Sequence, residues 1–551
     1  MIMLKKILIS SISVLTISAA IQSGYANEVP QPTIKVSEAD EPMAKGTFEP
    51  EWESLRKYKT PEWFRNAKFG IWAHWGPQCV EGSGDWMARG MYQEGSHAYK
   101  HHVANYGHPS EVGFKDILPL FKAEQWNPDS LVAIYKSIGA QYFFVLGNHH
   151  DNFDLWDSKY QPWNSVNIGP KRDILAEWAA AARKHGLPFG VSLHADHAWT
   201  WYEPSRRYDR NGDKMGIPYD GVLTTADGKG KWWEGMDPQQ LYVQNHPLSE
   251  GSWADGMVGK QWGWGNGAAL PSEEFCTNFY NRTLDVINRY NPDLLYFDTT
   301  GVPFYPVSDA GLKIAAHFYN HNMQTHGGKN EAVMFGKILT DLQKEALVWD
   351  VERGAPNEII PLPWQSCSCI GGWHYNTDIY NKGHYKSAQT VIRLLADIVS
   401  KNGNLLLNIP LRADGTFDDK EAVIIDGIGK WMNRNKEAIF DTRPWKRFGE
   451  GPIAERAIPL NDQGFNEGAY SDMTAEEIRF TSKDKTLYAI VLAWPEDNNV
   501  NIRSLSSGNT KVKRVELLGH GRVKFRQTSG GLAVSLPKDT EYKTIPVLKI
   551  L

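Results

Sequence analysis

The sequence is poor in cysteine and, beyond its N-terminus, in long apolar runs. Its 551 residues include four cysteines, Cys79, Cys276, Cys367 and Cys369, which leaves room for one disulfide but excludes a disulfide framework. Cys367 and Cys369 are spaced closely enough to share a metal, but no second pair accompanies them, so buried thiols are the favoured interpretation. After the first 26 residues no stretch approaches 18 apolar residues, so we expect no membrane-spanning helix.

The chain also lacks a marked excess of charge of either sign. Its 59 basic and 64 acidic residues give a net charge of −5, and the basic residues are spread along the chain, which argues against nucleic-acid binding. No GxGxxG or GxxxxGK motif opens a helix after a strand, which argues against nicotinamide and phosphate ligands. The 41% of apolar residues is enough for a large core, and the length fits two or three domains.

The first 26 residues have the features of a cleavable signal peptide. Lys5 and Lys6 precede an apolar segment over 7–21, and Gly24 and Ala26 supply the small side chains that a signal peptidase accepts. We therefore expect a soluble protein, periplasmic or secreted, without a lipid anchor because the segment has no lipobox cysteine. Residues 27–45, rich in Pro, Glu and Ala, are expected to be a linker.

Residues 46–442 repeat one pattern, in which an amphipathic helix leads into a buried apolar run that ends in polar side chains. The apolar runs span 68–73, 142–146, 189–193, 294–297, 346–349 and 405–407. Buried strands that alternate with helices predict an α/β fold with a parallel sheet. Six such units over about 350 residues fit a (β/α)8-like TIM barrel better than an open sheet, and the active site of such a barrel lies where the C-terminal strand ends meet.

The pattern changes after about residue 443. Short segments with β character, separated by glycine-containing turns, predict a C-terminal antiparallel β-sandwich domain over 443–551. Within the barrel, residues 203–272 form a long insertion rich in Gly, Trp, Asp and Pro, which we expect to shape access to the barrel mouth.

The predicted strand ends carry histidines and acids that are candidates for chemistry. They are His74, Asp85, His149, His150, His194, His197, Asp298, Glu352 and Glu358. A metal site is the less favoured interpretation, because no HExxH motif is present and adjacent histidines on a strand are expected to point to opposite sides. Sugar chemistry is favoured, because imidazoles bind hydroxyls, the 22 Trp offer faces for sugar rings, and paired carboxylates cleave glycosidic bonds. Asp298 is the best candidate nucleophile, with a strand-end cap as its structural alternative.

Four stretches, in order along the chain, carry a specific pattern. They are AKFGIWAHWG at 67–76, GNHHD at 147–151, YFD at 296–298 and VSKNGNLLLN at 399–408. Together they resemble family 29 glycoside hydrolases, the α-L-fucosidases, over about residues 50–440. The resemblance implies an exo-acting, retaining enzyme that needs no metal or other cofactor, acts on fucosylated glycans or oligosaccharides, and has a barrel followed by a β-sandwich.

The resemblance also implies roles for individual residues. Asp298 would be the nucleophile. The expected substrate contacts are His74, Asp85, Trp86, His149, His150, His194, Trp373 and His374. Asp85 stands where many members have Glu, so it is expected to reach a hydroxyl from a shorter side chain.

The acid/base departs from the usual pattern. Many members carry Glu directly after the Trp of a WE-x-C motif, whereas Gln365 stands there in this chain, and a neutral amide cannot donate a proton to a leaving oxygen. Glu352, which follows a strand and precedes Arg353, is the predicted acid/base because retaining enzymes need two close carboxyls. Glu358, farther along the loop, is the alternative.

Two other functions remain open at the level of sequence. One is a glycosidase of the same barrel family acting on a related sugar such as an α-L-galactoside, because an apolar contact discriminates weakly against an added hydroxyl. The other is a non-catalytic glycan-binding relative, which requires both Glu352 and Glu358 to point away from the mouth.

Overall fold

The computed structural model of the protein describes residues 32–253, 262–456, 458–461, 464–470, 473–508, 511–540 and 543–551. The expected signal peptide lies outside the described residues. Within the described part of the chain, no helix has both the length and the apolar character needed to cross a membrane.

Eight parallel strands close into a barrel. They are β1 (Phe69–Ala73), β2 (Tyr142–Asn148), β3 (Phe189–Leu193), β4 (Leu294–Tyr296), β5 (Val333–Gly336), β6 (Val348–Glu352), β7 (Trp364–Cys369) and β8 (Gly403–Asn408). Strands adjacent in sequence are adjacent in the barrel, and β8 pairs with β1 to close it, with Ile71 opposite Leu407. All residues of β1, β2, β3 and β8 are buried, as expected for strands covered by side chains inside and helices outside. The predicted barrel is confirmed.

Two of these strands, β5 and β7, escape the sequence pattern. β5 has only four residues, and β7 reads WQSCSC rather than as an apolar run. The polar groups of β7 are satisfied inside the barrel, since Gln365 donates to Asp350 Oδ1 at 2.8 Å and accepts from the Tyr142 hydroxyl at 2.9 Å. A buried strand with paired polar side chains lacks the hydrophobic signal on which prediction relies.

Helices surround the barrel. The longer ones are His97–Asn105, Pro128–Ser137, Ile174–Lys184, Glu273–Tyr290, Ala310–Thr325, Ala388–Ser400 and Asp419–Asn435. Short helices lie at Trp52–Leu55, Glu62–Ala67, Met87–Gly90, Phe114–Ile117, Ala198–Trp201, Gln239–Tyr242, Asp341–Lys344 and Thr377–Lys382. Several begin at a side chain that accepts a backbone N–H of the first turn, as Asn127, Asp173 and Ser272 do.

Antiparallel sheets follow the barrel. Their strands are β9 (Arg443–Glu450), β10 (Ile478–Lys483), β11 (Thr486–Val491), β12 (Asn499–Ile502), β13 (Val515–Leu517), β14 (Gly521–Arg522), β15 (Lys524–Thr528), β16 (Gly531–Ser535) and β17 (Val547–Ile550). Six form a sheet in the order β14-β13-β17-β11-β10-β9, and three form a second sheet in the order β12-β16-β15. Phe480 and Leu548 of the first sheet share one buried core with Ile502 and Val534 of the second. The predicted antiparallel C-terminal arrangement is confirmed.

Residues 32–45, part of the segment expected to be a linker, lie along the barrel surface. Ile34 pairs with Ser308, and the Val36 N–H donates to Asp309 Oδ1 at 2.9 Å. Farther along, the Ala44 N–H donates to His317 Nδ1 at 2.9 Å. These bonds fix this stretch against the helix Ala310–Thr325.

A buried ion-pair cluster joins the barrel to the larger C-terminal sheet. Asp397, in the helix Ala388–Ser400, accepts from Lys401 Nζ at 2.6 Å and from Arg479 Nε at 2.5 Å. Arg479 lies in β10 and also donates to Glu477 Oε2 at 3.0 Å. All four side chains are buried. The pair of Asp397 and Arg479 joins the two sides of this contact, with Lys401 bonded on the barrel side and Glu477 on the sheet side.

Candidate active site

The C-terminal strand ends surround a cavity of about 630 Å³, a size typical of small-ligand sites. Its lining residues are Trp72, His74, Asp85, Trp86, His149, His194, Trp262, Tyr296, Asp298, Lys337, Glu352, Arg353, Cys367, Gly372, Trp373 and Phe465. The predicted mouth of the barrel is therefore where this cavity lies. Two predicted contacts, His150 and His374, stand directly behind the lining, bonded to Asp298 and Asp85 respectively.

Two carboxylates face each other across one lysine. Asp298 lies two residues beyond β4, and Glu352 is the last residue of β6. Lys337, directly after β5, places Nζ 2.5 Å from Asp298 Oδ1 and 2.6 Å from Glu352 Oε2. Trp373 Nε1 donates to the other Glu352 oxygen at 3.1 Å. The strands β4, β5 and β6 are neighbours in the barrel, which is why the three charges meet.

The surroundings of Asp298 favour its ionised form. Burial by itself would raise the pKa of this carboxyl, but the Lys337 ammonium and the hydrogen bond from His150 hold the pKa well below its usual range. His150 Nε2 lies 3.2 Å from Asp298 Oδ2, and His194 Nδ1 lies 4.0 Å from the same oxygen. Asp298 is thus a carboxylate, surrounded by donors, at the wall of the cavity.

A cluster of histidines lines the side of the cavity next to Asp298. Burial, joined at His74 and His149 by the neighbouring imidazoles, lowers the pKa of His74, His149 and His194 well below its usual value, so these rings are neutral. Both His74 nitrogens and His194 Nδ1 are buried and have no hydrogen-bond partner among the described residues. A neutral imidazole offers one donor and one acceptor, which suits a ligand rich in hydroxyls.

Asp85 and Trp86 also border this cluster. His374 Nδ1 is 2.7 Å from Asp85 Oδ1, and His149 Nε2 is 3.9 Å from the same atom. The Trp86 ring centroid lies 6.0 Å from that of His150 and 6.1 Å from that of Trp262. The histidines between Asp298 and Asp85, which we call the histidine wall, are His74, His149, His150, His194 and His374.

The expectation that His149 and His150 point apart is wrong. Strand β2 ends at Asn148, so the two histidines lie in the turn that follows, and the alternation of a strand does not apply to them. Their ring centroids are 4.5 Å apart, and donor atoms of His149, His150 and His194 lie within 4.8 Å of one another. His74, Asp85, His149 and His374 form a second such group. The donor set by itself thus suits either a metal or sugar hydroxyls.

Comparison with known proteins identifies the family of this chain. A family model described as Alpha-L-fucosidase matches residues 35–437, and one described as Alpha-L-fucosidase C-terminal domain matches residues 471–551. The chain belongs to the alpha-L-fucosidase family. It is accordingly a glycoside hydrolase, and the resemblance stated from the sequence is confirmed.

Relatives of known name cover nearly the whole chain. Plasma alpha-L-fucosidase of Homo sapiens is 25% identical over 515 residues, covering 90% of this chain and 89% of the relative. Tissue alpha-L-fucosidase of Rattus norvegicus is 24% identical over 512 residues, covering 90% of each. Among solved structures, Thermotoga maritima alpha-fucosidase in complex with fucose aligns with a TM-score of 0.65 at 25% identity, covering 92% of this chain and 100% of that one. Alpha-L-fucosidase isoenzyme 1 from Paenibacillus thiaminolyticus aligns with a TM-score of 0.59 at 18% identity, covering 90% of this chain and 99% of that one.

In this fucosidase-family chain, the remaining candidate residues lie away from the cavity. Glu358 is exposed and does not line the cavity, whereas the Glu352 carboxylate does. Gln365 lies within the barrel, bonded to Asp350 and Tyr142. His197 lies behind the lining, with its ring stacked at 3.8 Å on that of Trp262.

One wall of the cavity comes from outside the barrel. Residue Gly464 pairs with Glu352, and the Phe465 N–H donates to the Glu352 carbonyl at 2.7 Å. Gly464 has φ 136°, and a Cβ there would lie 1.9 Å from that carbonyl oxygen, so the contact requires glycine. Glu467 accepts from Arg353 Nε at 2.7 Å and from Ser368 Oγ at 2.6 Å. Residues 464–467, which we call the rim segment, thus cover the strand that ends in Glu352.

Proposed function

We propose that this chain hydrolyses terminal α-L-fucosyl residues of glycans with retention of configuration, with Asp298 as nucleophile and Glu352 as general acid/base. One observation carries the proposal, namely that Lys337 Nζ contacts both carboxylates. Its distances of 2.5 and 2.6 Å mean that Asp298 Oδ1 and Glu352 Oε2 are at most about 5.1 Å apart. Retaining glycosidases hold their carboxyls about 5–5.5 Å apart, whereas inverting ones need about 6.5–9.5 Å for a water.

The reaction then proceeds by double displacement. Asp298 attacks the anomeric carbon as the bond to the leaving oxygen breaks, while protonated Glu352 gives its proton to that oxygen. The product of this step is a fucosyl ester of Asp298. Ionised Glu352 then takes a proton from water, which attacks the anomeric carbon and releases both fucose and Asp298.

Lys337 faces one negative charge in both half-reactions. Before attack that charge is on Asp298, and in the ester intermediate it is on Glu352. Because the ammonium already contacts both carboxylates, it stabilises either state without moving far. The lysine is therefore a positioning residue that matches the charge of the two steps, and an ammonium held ready in this way needs little reorganisation.

The proposal assigns the sugar hydroxyls to the histidine wall. His74 and His194 supply the unpartnered nitrogens, and Asp85 supplies an acceptor. With these groups occupied by hydroxyls, the reaction needs no metal, so dialysis against EDTA should leave kcat unchanged. A loss of activity that Zn²⁺ restores would contradict this part of the proposal.

Azide rescue of two variants tests the mechanism. With an aryl α-L-fucoside as donor, Asp298→Ala and Glu352→Ala should both lose nearly all turnover. Azide should then give a β-fucosyl azide with Asp298→Ala and an α-fucosyl azide with Glu352→Ala, because it replaces a different group in each. Glu358→Ala is the matched control and should keep full activity. An inactive wild type that instead cleaves an α-L-galactoside would change the substrate but leave the roles in place.

We also propose that the chain is exported through its N-terminal segment. The charged, apolar and small-residue parts of residues 1–26 support this. N-terminal sequencing of the protein recovered from a bacterial periplasm or medium should begin at Asn27. A chain that keeps its first residues and remains in the cytoplasm would contradict export.

A further inference from the structure

The rim segment places an aromatic side chain in an unusual position. Phe465 lines the cavity, yet 51% of its surface is exposed. A large apolar side chain left half-exposed at the edge of a binding cavity is available to an apolar surface of a ligand.

The backbone at this position is also strained. Phe465 has φ 64°. Arg353, the residue after Glu352, has φ 49°. Bulky residues seldom adopt this left-handed conformation, and such strain concentrates at functional sites. Two backbone hydrogen bonds maintain this conformation. The Phe465 N–H donates to the Glu352 carbonyl, and the Glu467 N–H donates to the Arg353 carbonyl at 2.9 Å.

The location relative to the carboxylates indicates which part of a substrate would meet this ring. The histidine wall and Asp85 extend from Asp298, whereas Phe465 adjoins Glu352. In the proposed mechanism Glu352 protonates the leaving oxygen, so the leaving group departs on the Glu352 side.

We propose that Phe465, together with the Arg353 guanidinium at the cavity edge, forms the subsite for the leaving group, and that its ligand is the sugar unit to which fucose is attached. The apolar face of a pyranose packs on the phenyl ring, and Arg353 donates to its hydroxyls with the nitrogens that Glu467 does not use. The Phe465 N–H is bonded to the carbonyl of Glu352, the residue that supplies the proton, so the backbone of the subsite is tied to the backbone of the acid. This inference rests on the proposed function.

Substrates that differ in their leaving group test the subsite. Phe465→Asn removes the ring and keeps a residue that tolerates the left-handed conformation, and Phe465→Tyr keeps an aromatic ring. For a fucosyl disaccharide, Phe465→Asn should raise KM about tenfold with kcat little changed, and Phe465→Tyr should restore the wild-type KM. For α-L-fucosyl fluoride, which has no leaving sugar, both variants should match the wild type. Trp232→Ala, at an exposed aromatic outside the cavity lining, should leave KM and kcat unchanged for both substrates.

The outcomes separate this inference from the proposed function. Equal losses on the disaccharide and the fluoride would mean a structural role and would overturn the subsite, as would no loss on either. If the wild type cleaves neither substrate, the proposed function fails, and calorimetry still tests the subsite. In that measurement Asp298→Ala should bind the disaccharide about tenfold more tightly than the double variant Asp298→Ala/Phe465→Asn, and equal binding would overturn it.

Discussion

Lys337 has two carboxylate partners, Asp298 and Glu352. As the proposed nucleophile, Asp298 must be ionised to attack, and the lysine, against the effect of burial, keeps the pKa of Asp298 well below the usual range. Lys337→Met removes the charge while keeping much of the side-chain volume. We expect kcat to fall by about 10²-fold or more, as when one preorganised electrostatic partner of a reaction is removed.

The same substitution should move the acid limb of the pH profile. Without the ammonium the pKa of Asp298 rises, so the nucleophile becomes protonated at a higher pH and kcat/KM falls earlier as pH decreases. Measuring kcat/KM against pH with an aryl fucoside checks this, and Lys337→Arg, which keeps the cation, is the control. An unmoved acid limb in Lys337→Met would mean that the lysine acts only through packing.

At the level of residues, the side chains that follow recognisable strands were predictable from the sequence. Asp298 and the histidines come after apolar runs, so their convergence at the mouth could be anticipated. Lys337 follows a four-residue strand, and a lysine in sequence gives no sign that it is buried. Closure of the barrel sets β5 between β4 and β6, and this places Lys337 between Asp298 and Glu352. Phe465 was not predicted, because it is distant in sequence from Glu352, the residue whose carbonyl it contacts.

The helix Asp419–Asn435 carries a titratable group in its N-terminal cap. The Glu421 N–H donates to Asp418 Oδ1 at 2.7 Å, and the Asp418 N–H donates to Glu421 Oε2 at 2.8 Å, which is a capping box. Glu421 is buried, and its Oε1 has no hydrogen-bond partner within the described part of the chain. Burial raises the pKa of Glu421 to about 8, so folding favours the protonated acid.

This raised pKa makes the free energy of unfolding depend on pH. As pH increases from the ordinary range of Glu toward 8, the unfolded chain releases the proton and the native chain retains it, so stability decreases. Glu421→Gln keeps the capping acceptor and removes the titration. We expect it to stabilise the protein by about 1 kcal/mol at pH 8, or about 1 °C in Tm for a chain of this length, and by little at pH 4. Thermal unfolding at both pH values measures this, and an equal effect at both would contradict the titration.

Elements were predicted well where their signal is local. The amphipathic helices expected before the apolar runs are present, for example at Pro128–Ser137 and Ile174–Lys184, because capping side chains and amphipathic spacing are encoded nearby. Strand β7 was missed because its polar side chains find partners that are distant in sequence. Gln365 bonds to β2 and β6, Cys367 to β6 and Ser368 to Glu467 of the rim segment. The strand before Glu352 was expected to end at Trp349, whereas β6 continues through Glu352 itself.

At the scale of the whole molecule, the Asp397 cluster couples the barrel to the sheets. Arg479→Met would leave Asp397 buried with Lys401 as its ion-pair partner among the described residues, and would remove the ion pair of Glu477 with Arg479. Breaking a buried ion pair from one side costs about 3–5 kcal/mol. Urea unfolding should show this loss.

A double variant separates charge from packing in that cluster. Arg479→Met combined with Glu477→Gln removes the carboxylate that loses its ion-pair partner and keeps the pair of Asp397 and Lys401, so it should recover part of the lost stability. A loss below about 1 kcal/mol for Arg479→Met, in the range of an exposed pair, would contradict the importance of the cluster. The architecture itself was predictable, because alternating buried runs and helices specify a barrel, but the contacts between barrel and sheets have no local signature.

The rim segment has a consequence for how such a protein can change over generations. It lies after the barrel in the chain and before residue 471, where the C-terminal family match begins, yet Gly464 and Phe465 are bonded to the backbone of Glu352. A gene fusion that replaced everything after residue 443 with an unrelated domain would therefore remove one wall of the cavity. We therefore expect barrel and tail to be exchanged together, and, given the proposed leaving-group subsite, we expect mutations in the tail alone to change the preference for the leaving group.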